Sequence, residues 1–187
     1  MKVEQIGHLE EFSRRGWINL YYADESRVSL EANVPYGWQF VDEDVFMPVE
    51  KGGGLNLFGL IGRDNDLVYE TTVEKITSQF IFEQLEKFST KLKKLTVVVL
   101  DNASVHTAGI IKQRLAAWQN RGLYIFYLPK SSPHLNIAEI LWRKLKYEWL
   151  SPSDYVDKQQ LHYSVRQILG AVGNILRINF SEFNYSI

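Results

Sequence analysis

Cysteine is absent from the 187 residues. That removes disulfides and thiolate metal sites together and leaves oxygen and imidazole as the side-chain ligands open to a metal. A chain without cysteine is also at home in a reducing cytoplasm. Long apolar runs are missing too: none approaches the ~20 residues that span a bilayer. The opening MKVEQIGHLEEF is mixed in charge and has no signal-peptide core. The third absence is a basic excess, since 21 Lys and Arg stand against 22 Asp and Glu, a formal net charge of -1. Domains that grip DNA by themselves usually carry positive charge in excess. Either nucleic acid is not the partner, or another segment supplies most of the grip. There is no internal repeat and no low-complexity tract. The length suits one well-buried domain, expected as a single unit over 1–187, and 45% apolar with 23% charged residues is ordinary globular usage.

What is present is concentrated between residues 96 and 149. Val97, Val98, Val99 and Leu100 form a short apolar run rich in β-branched residues, suited to a strand buried on both faces of a central sheet. Asp101 follows directly, at the edge where open α/β sheets gather their ligands. Glu139 falls near the start of a helical pattern over 137–150, with Asn136 as its candidate N-cap, although an acid in a first turn is also favoured by the helix dipole alone. On that helix Glu139, Arg143 and Lys146 share one face at steps of four and three. Leu141, Leu145, Trp142 and Trp149 form the stripe expected to pack in the core. A third acid, Asp24, ends the apolar, aromatic strand pattern of 17–23, and residues 28–30 read as the return of a hairpin. Glu25 beside it is a competing acid that the sequence does not exclude.

The remaining segments supply a frame. Residues 1–15 read as a lead-in helix or linker, and 31–51 as an extended surface loop pinned by Trp38 and Phe40. The glycines at 52–54 read as a hinge or turn, because the strand-to-helix context and Lys-Ser/Thr ending of a phosphate loop are missing. LNLFGLIG and LVYETT form a hairpin joined by RDND. A helix over 72–88 takes Thr72 as N-cap, and a second over 107–120 stops at Gly122. A strand at 124–128 and a final helix at 161–176, within a C-terminal helical segment 151–187, complete the order. Strands first and strand-helix alternation later predict an α/β (α+β mixed) class, a mixed central sheet flanked by helices. Lys91, Lys93 and Lys94 form one basic cluster, more in keeping with a solvated face than with a site.

Three acids drawn from distant stretches can supply hard oxygen ligands to divalent ions while positions stay open for phosphate and water. The strings DES at 24–26, LDNASVHTA and LPKSSPHLNIAEILWRKLK, with YGWQF and LNLFGLI between the first two acids, resemble the signature blocks of the DDE transposases of the mariner-like superfamily, in particular its bacterial insertion-sequence branch. The resemblance runs from about residue 17 to 149. It implies a ribonuclease H-like fold in which Asp24, Asp101 and Glu139 correspond to the first, second and third acids and hold two Mg²⁺ or Mn²⁺ ions. The activity implied is metal-dependent phosphoryl transfer: nicking of a DNA strand, then strand transfer by its 3′-hydroxyl, in cut-and-paste transposition of an insertion sequence. Partners implied are transposon ends and target DNA, with TA sites as targets and a homodimer on paired ends. The expected setting is a bacterial cytoplasm, on the nucleoid when DNA is bound and without a membrane.

Departures from the family pattern are specific. The 37 residues between Asp101 and Glu139 are slightly more than the family's usual spacing. His134 stands where the family often has Asp, and Ile137 where it often has Pro; His134 is therefore a candidate contact to DNA or phosphate, as are Arg143 and Lys146. Asn102 is a candidate to orient Asp101 or touch the substrate, or a turn asparagine. His106 is a candidate DNA contact or a satisfied loop histidine; metal-activated water needs no separate imidazole base. The helix-turn-helix modules with which such transposases begin have no room before Asp24. The chain is thus expected to be the catalytic domain alone, as a cut piece or the second reading frame of a split element, which accounts for the missing basic excess. Two other readings stay open: a ribonuclease H-like nuclease acting on RNA-DNA hybrids or junctions, and an inactive DNA-binding relic, against which the intact triad argues.

Overall fold

The computed structural model describes residues 2–30, 53–130 and 132–183; the expected loop over 31–51 lies outside them. Five strands, β1 (Asn19–Val28), β2 (Leu55–Ile61), β3 (Leu67–Thr72), β4 (Thr96–Leu100) and β5 (Leu123–Tyr127), form one sheet in the order β3-β2-β1-β4-β5. β2 pairs antiparallel with both β1 and β3, while β4 lies parallel to both β1 and β5. The helices are α1 (Lys2–Arg14), α2 (Ser78–Ser89), α3 (Gly109–Asn120), α4 (Ala138–Lys144) and α5 (Lys158–Ala171). The mixed sheet expected from the order of elements is the one found. Among the described residues no helix is long and apolar enough to cross a membrane.

Side-chain alternation on β4 sets the two layers. Val97 and Val99 join one apolar cluster with Leu141, Trp142 and Leu145 and with Leu161 and Val165 of α5, while Val98 and Leu100 join the other with Ile81 and Leu85 of α2 and Ile111 and Trp118 of α3. All five β4 residues are buried, so the run reads as continuously apolar because neither face meets water.

Several boundaries differ from the sequence reading. β1 does not end at Asp24: β2 stays paired with it to Val28, after β4 has stopped at Tyr22. The expected hairpin return at 28–30 is therefore the end of the same strand. α2 begins at Ser78, and its cap is Thr77, whose hydroxyl accepts from the Phe80 N–H at 3.2 Å. Thr72 instead closes β3, paired with Asn56. The expected helix over 137–150 is α4 followed by a π turn, Leu145–Trp149, in which the Leu150 N–H donates to the carbonyl five residues back at 3.0 Å. α5 runs from Lys158 to Ala171; Val172 is extended and Gly173 has φ +86, which stops it short of 176.

α2 and α3 are joined through Glu86. Its carboxylate accepts from Arg114 Nε (2.9 Å) and Nη2 (2.6 Å), from Trp118 Nε1 (2.8 Å) and from Arg121 Nη1 (2.7 Å). The Arg114 hydrogen bond, with those of Arg121 and Trp118, holds the carboxyl down at about 2 against a burial that would raise it. Glu86→Gln is expected to cost roughly 1–2 kcal/mol at pH 7 in urea unfolding, because charged hydrogen bonds become neutral ones. The folded pKa is depressed, so the wild-type advantage is present above the model-peptide value of 4.5 and fades as pH falls toward about 2.

Candidate active site

The last parallel pair between β1 and β4 is Tyr22 with Val99. Asp24 lies two residues further along β1, on the face that carries Tyr22, and Asp101 is the first residue after β4. That face is the one covered by α4. Asn136 brings α4 to it: its Nδ2 donates to the Ala23 carbonyl at 3.1 Å, and its Oδ1 accepts from the Ala138 N–H at 3.1 Å. Asn136 thus stands one residue before the helix-capping position, Ile137, and fastens the helix start to β1 beside Asp24. Glu139 emerges exposed from the first turn. Opposite Asp24 in the antiparallel ladder is Gly59, on which the Trp142 indole rests so closely that a Cβ there would lie 2.9 Å from Cη2.

Electrostatics tie the three acids together. Burial, and then the charges of Glu25, Glu139 and Asp101, push the Asp24 carboxyl up to about 7. Asp101 is shifted the other way: a hydrogen bond from His106, and then one from the Ala103 N–H, hold it below the usual carboxylate range despite partial burial. Lys146, on the π turn, is pulled down by burial, against the opposing charges of Asp24 and Glu139. Among the described residues no three His, Asp or Glu side chains are already gathered as a cage around one ion. The donor set still fits a hard divalent cation. It is all oxygen, and Asp24 is a half-buried acid with other acids near enough to raise it, so its ionised form gains from an added positive charge.

The other candidates occupy distinct positions. Asn102 donates through Nδ2 to the Leu128 carbonyl, joining the ends of β4 and β5. His134 is exposed on a 3-10 turn (Pro133–Leu135), and Arg143 is exposed on α4. His106 is completely buried; its Nδ1 is hydrogen-bonded to Asp101 Oδ1 at 2.6 Å, while its Nε2 lies 2.9 Å from Glu25 Oε2 in an ion-pair contact without hydrogen-bond geometry. Glu25, one residue after Asp24, faces the opposite side of β1 and meets that ring. Glu25 as a histidine partner, Asn136 as a tie to β1 and Gly59 as a seat for Trp142 are absent from the sequence reading. Alternation along β1 separates Glu25 from Asp24 once the strand is known to continue, and a glycine inside a strand is a signal of close approach.

The family described as DDE superfamily endonuclease matches residues 19–162. Among solved structures, the Mos1 strand transfer complex aligns with a TM-score of 0.55 at 13% identity, covering 90% of this chain and 57% of that one. The catalytic core domain of BIV integrase aligns with a TM-score of 0.50 at 12% identity over 82% of each chain. A simian T-cell lymphotropic virus intasome in complex with PP2A regulatory subunit B56 gamma gives 0.54 at 11% identity, over 80% of this chain and 48% of that one. At these identities the likeness is one of fold, the mixed sheet with flanking helices of a ribonuclease H-like core. Curated proteins give no match.

Proposed function

Because the chain belongs to the DDE superfamily of endonucleases, we propose that Asp24, Asp101 and Glu139 are its three catalytic acids and that it is the catalytic domain of a transposase, cutting and joining DNA with two Mg²⁺ or Mn²⁺ ions. The observation that carries this reading is Asp24, a half-buried carboxyl raised to about 7 by desolvation and then by the charges of Glu25, Glu139 and Asp101. When bound, the ions supply activation of the attacking water or 3′-hydroxyl and stabilisation of the leaving oxygen. The chain's own residues do the rest. The parallel pairing of β1 with β4, which runs to Tyr22 and Val99, and the Asn136 tie between Ala23 and the start of the helix bearing Glu139 support this reading. Lys146 and Arg143 follow Glu139 on α4 and its π turn and meet a phosphate backbone running past the acids, where they position DNA without reading its sequence. His134, exposed at the approach to α4, is the remaining contact from this side. Asn102 shapes the loop after β4 through Leu128.

The partners proposed are transposon ends and target DNA, with TA sites as targets, handled by a homodimer in the bacterial cytoplasm. The chain spans 57% of the Mos1 chain it aligns with. The test is nicking of a labelled inverted-repeat end in Mg²⁺ and in Mn²⁺, with a helix-turn-helix module added in trans, by wild type and Asp101→Asn. Cation-dependent nicking by wild type alone is expected. Equal activity of the two in both metals rejects the reading, and cleavage of RNA-DNA hybrids but not duplex ends reassigns the chain to another ribonuclease H-like nuclease.

A further inference from the structure

His106 is the most enclosed polar side chain at the catalytic end of the sheet, with 0% of its surface exposed. The loop after β4 is folded around it. Its backbone N–H donates to the Ala103 carbonyl at 3.0 Å, and its carbonyl accepts from the Tyr127 hydroxyl at 2.9 Å. The ring lies between two acids from different strands, Nδ1 2.6 Å from Asp101 Oδ1 and Nε2 2.9 Å from Glu25 Oε2. Asp101 Oδ1 also accepts the Ala103 N–H at 2.8 Å. A carboxylate oxygen offers about two lone-pair sites, so both sites of Oδ1 are taken. The Asp101 side chain is nevertheless 49% exposed, which leaves Oδ2 as the oxygen open to a ligand.

We propose that His106 is a positioning residue that, with the Ala103 N–H, occupies Oδ1 of Asp101 and so presents Oδ2 alone to a divalent cation, while Glu25 lies against the far side of the ring as its ion-pair partner. The proposal rests on the reading of Asp24, Asp101 and Glu139 as cation-binding acids. Its chemistry is that of an outer partner orienting a ligand: losing the partner leaves the carboxylate present but free to turn, and typically weakens metal binding roughly 10- to 100-fold. The two ring nitrogens can be replaced separately. In His106→Asn the amide nitrogen falls near the place of Nδ1, keeping the Asp101 contact and dropping Glu25. In His106→Gln it falls near the place of Nε2, keeping Glu25 and dropping Asp101.

Mn²⁺ binding to the whole chain, read by the electron paramagnetic resonance of free Mn²⁺, distinguishes the outcomes. His106→Gln is expected to bind at least tenfold more weakly than wild type, His106→Asn within about threefold, and Glu25→Gln in between. A purely structural histidine would lower the melting temperature of Asn and Gln variants without splitting their affinities in this order. Wild-type affinity in His106→Gln, or equal losses in the Asn and Gln variants, overturns the proposal. Wild type binding no better than Asp24→Asn fails the metal reading itself. Should both histidine variants unfold, the ring ¹⁵N resonances of wild-type His106 are followed through a Mg²⁺ titration. A shift concentrated at Nδ1 upholds the proposal, and saturation of Mg²⁺ binding with neither nitrogen moving overturns it.

Discussion

Asp24→Asn is expected to silence metal-dependent nicking and, in the same molecule, to stabilise the metal-free fold. The two effects have one cause. Asp24 is half-buried, and its desolvation together with the charges of Glu25, Glu139 and Asp101 raises its carboxyl from 3.8 to about 7. The folded state therefore holds the proton more tightly than the unfolded chain does. A raised carboxyl contributes stability that is present at low pH and is lost as pH climbs from 3.8 through about 7. Asparagine keeps the shape and never ionises, so it removes the loss: a gain of roughly 2–4 kcal/mol at pH 8, shrinking to well under about 1 kcal/mol at pH 4. Urea unfolding of the chelator-treated protein at the two pH values reads this directly. Activity goes the other way, because an amide is a poor substitute for an anionic oxygen on a hard cation. A ligand contribution of several kcal/mol corresponds to a rate loss on the order of a thousandfold. A variant that is inactive and also less stable at pH 8 would show that Asp24 is a structural acid.

The parts of this site written in local pattern are legible in the sequence, and the parts that depend on which strand outlasts which are not. Val97 to Leu100 announce a doubly buried strand, and Asp101 at its end follows without further information. Asp24 is recognisable as an acid beside a strand, but the strand's true end at Val28 is set by β2, a segment about thirty positions away in the chain. With the end misplaced, Glu25 stays a rival of Asp24, since the sides of a strand are defined only along a strand that continues. Thr72 and Thr77 both suit a helix start by type; the demand of β3 for β-branched residues opposite Asn56 takes the first and leaves the second to cap. His106 looks like a loop histidine in sequence. Its burial comes from the closing of β5 and its Tyr127 hydroxyl over that loop, a contact 21 residues apart.

The contact least visible in sequence carries the second large effect. Trp142 is 5% exposed, one turn beyond Glu139 on α4, and its Cη2 would lie 2.9 Å from a Cβ at position 59. Gly59 is the register partner of Asp24, so the seat of this indole sets how far the helix bearing Glu139 stands from the strand bearing Asp24. Trp142→Ala is expected to cost about 3–5 kcal/mol through the cavity it leaves. Gly59→Ala is expected to cost about 1–3 kcal/mol, since a rigid ring in a packed core must give way. Its larger effect is on nicking, because lifting α4 carries Glu139 away from Asp24 at temperatures where the protein is still folded, and misplacement by an ångström costs on the order of a hundredfold. Trp142→Phe supplies the test. Trp142 Nε1 is buried without a hydrogen-bond partner, so the shorter ring forfeits no hydrogen bond and opens the space that the methyl group added by Gly59→Ala would fill. Combined with Gly59→Ala it is expected to recover both stability and nicking, with a coupling of about 1–2 kcal/mol between the positions. Strictly additive losses in the double variant would mean that something other than this contact sets the height of α4 above β1.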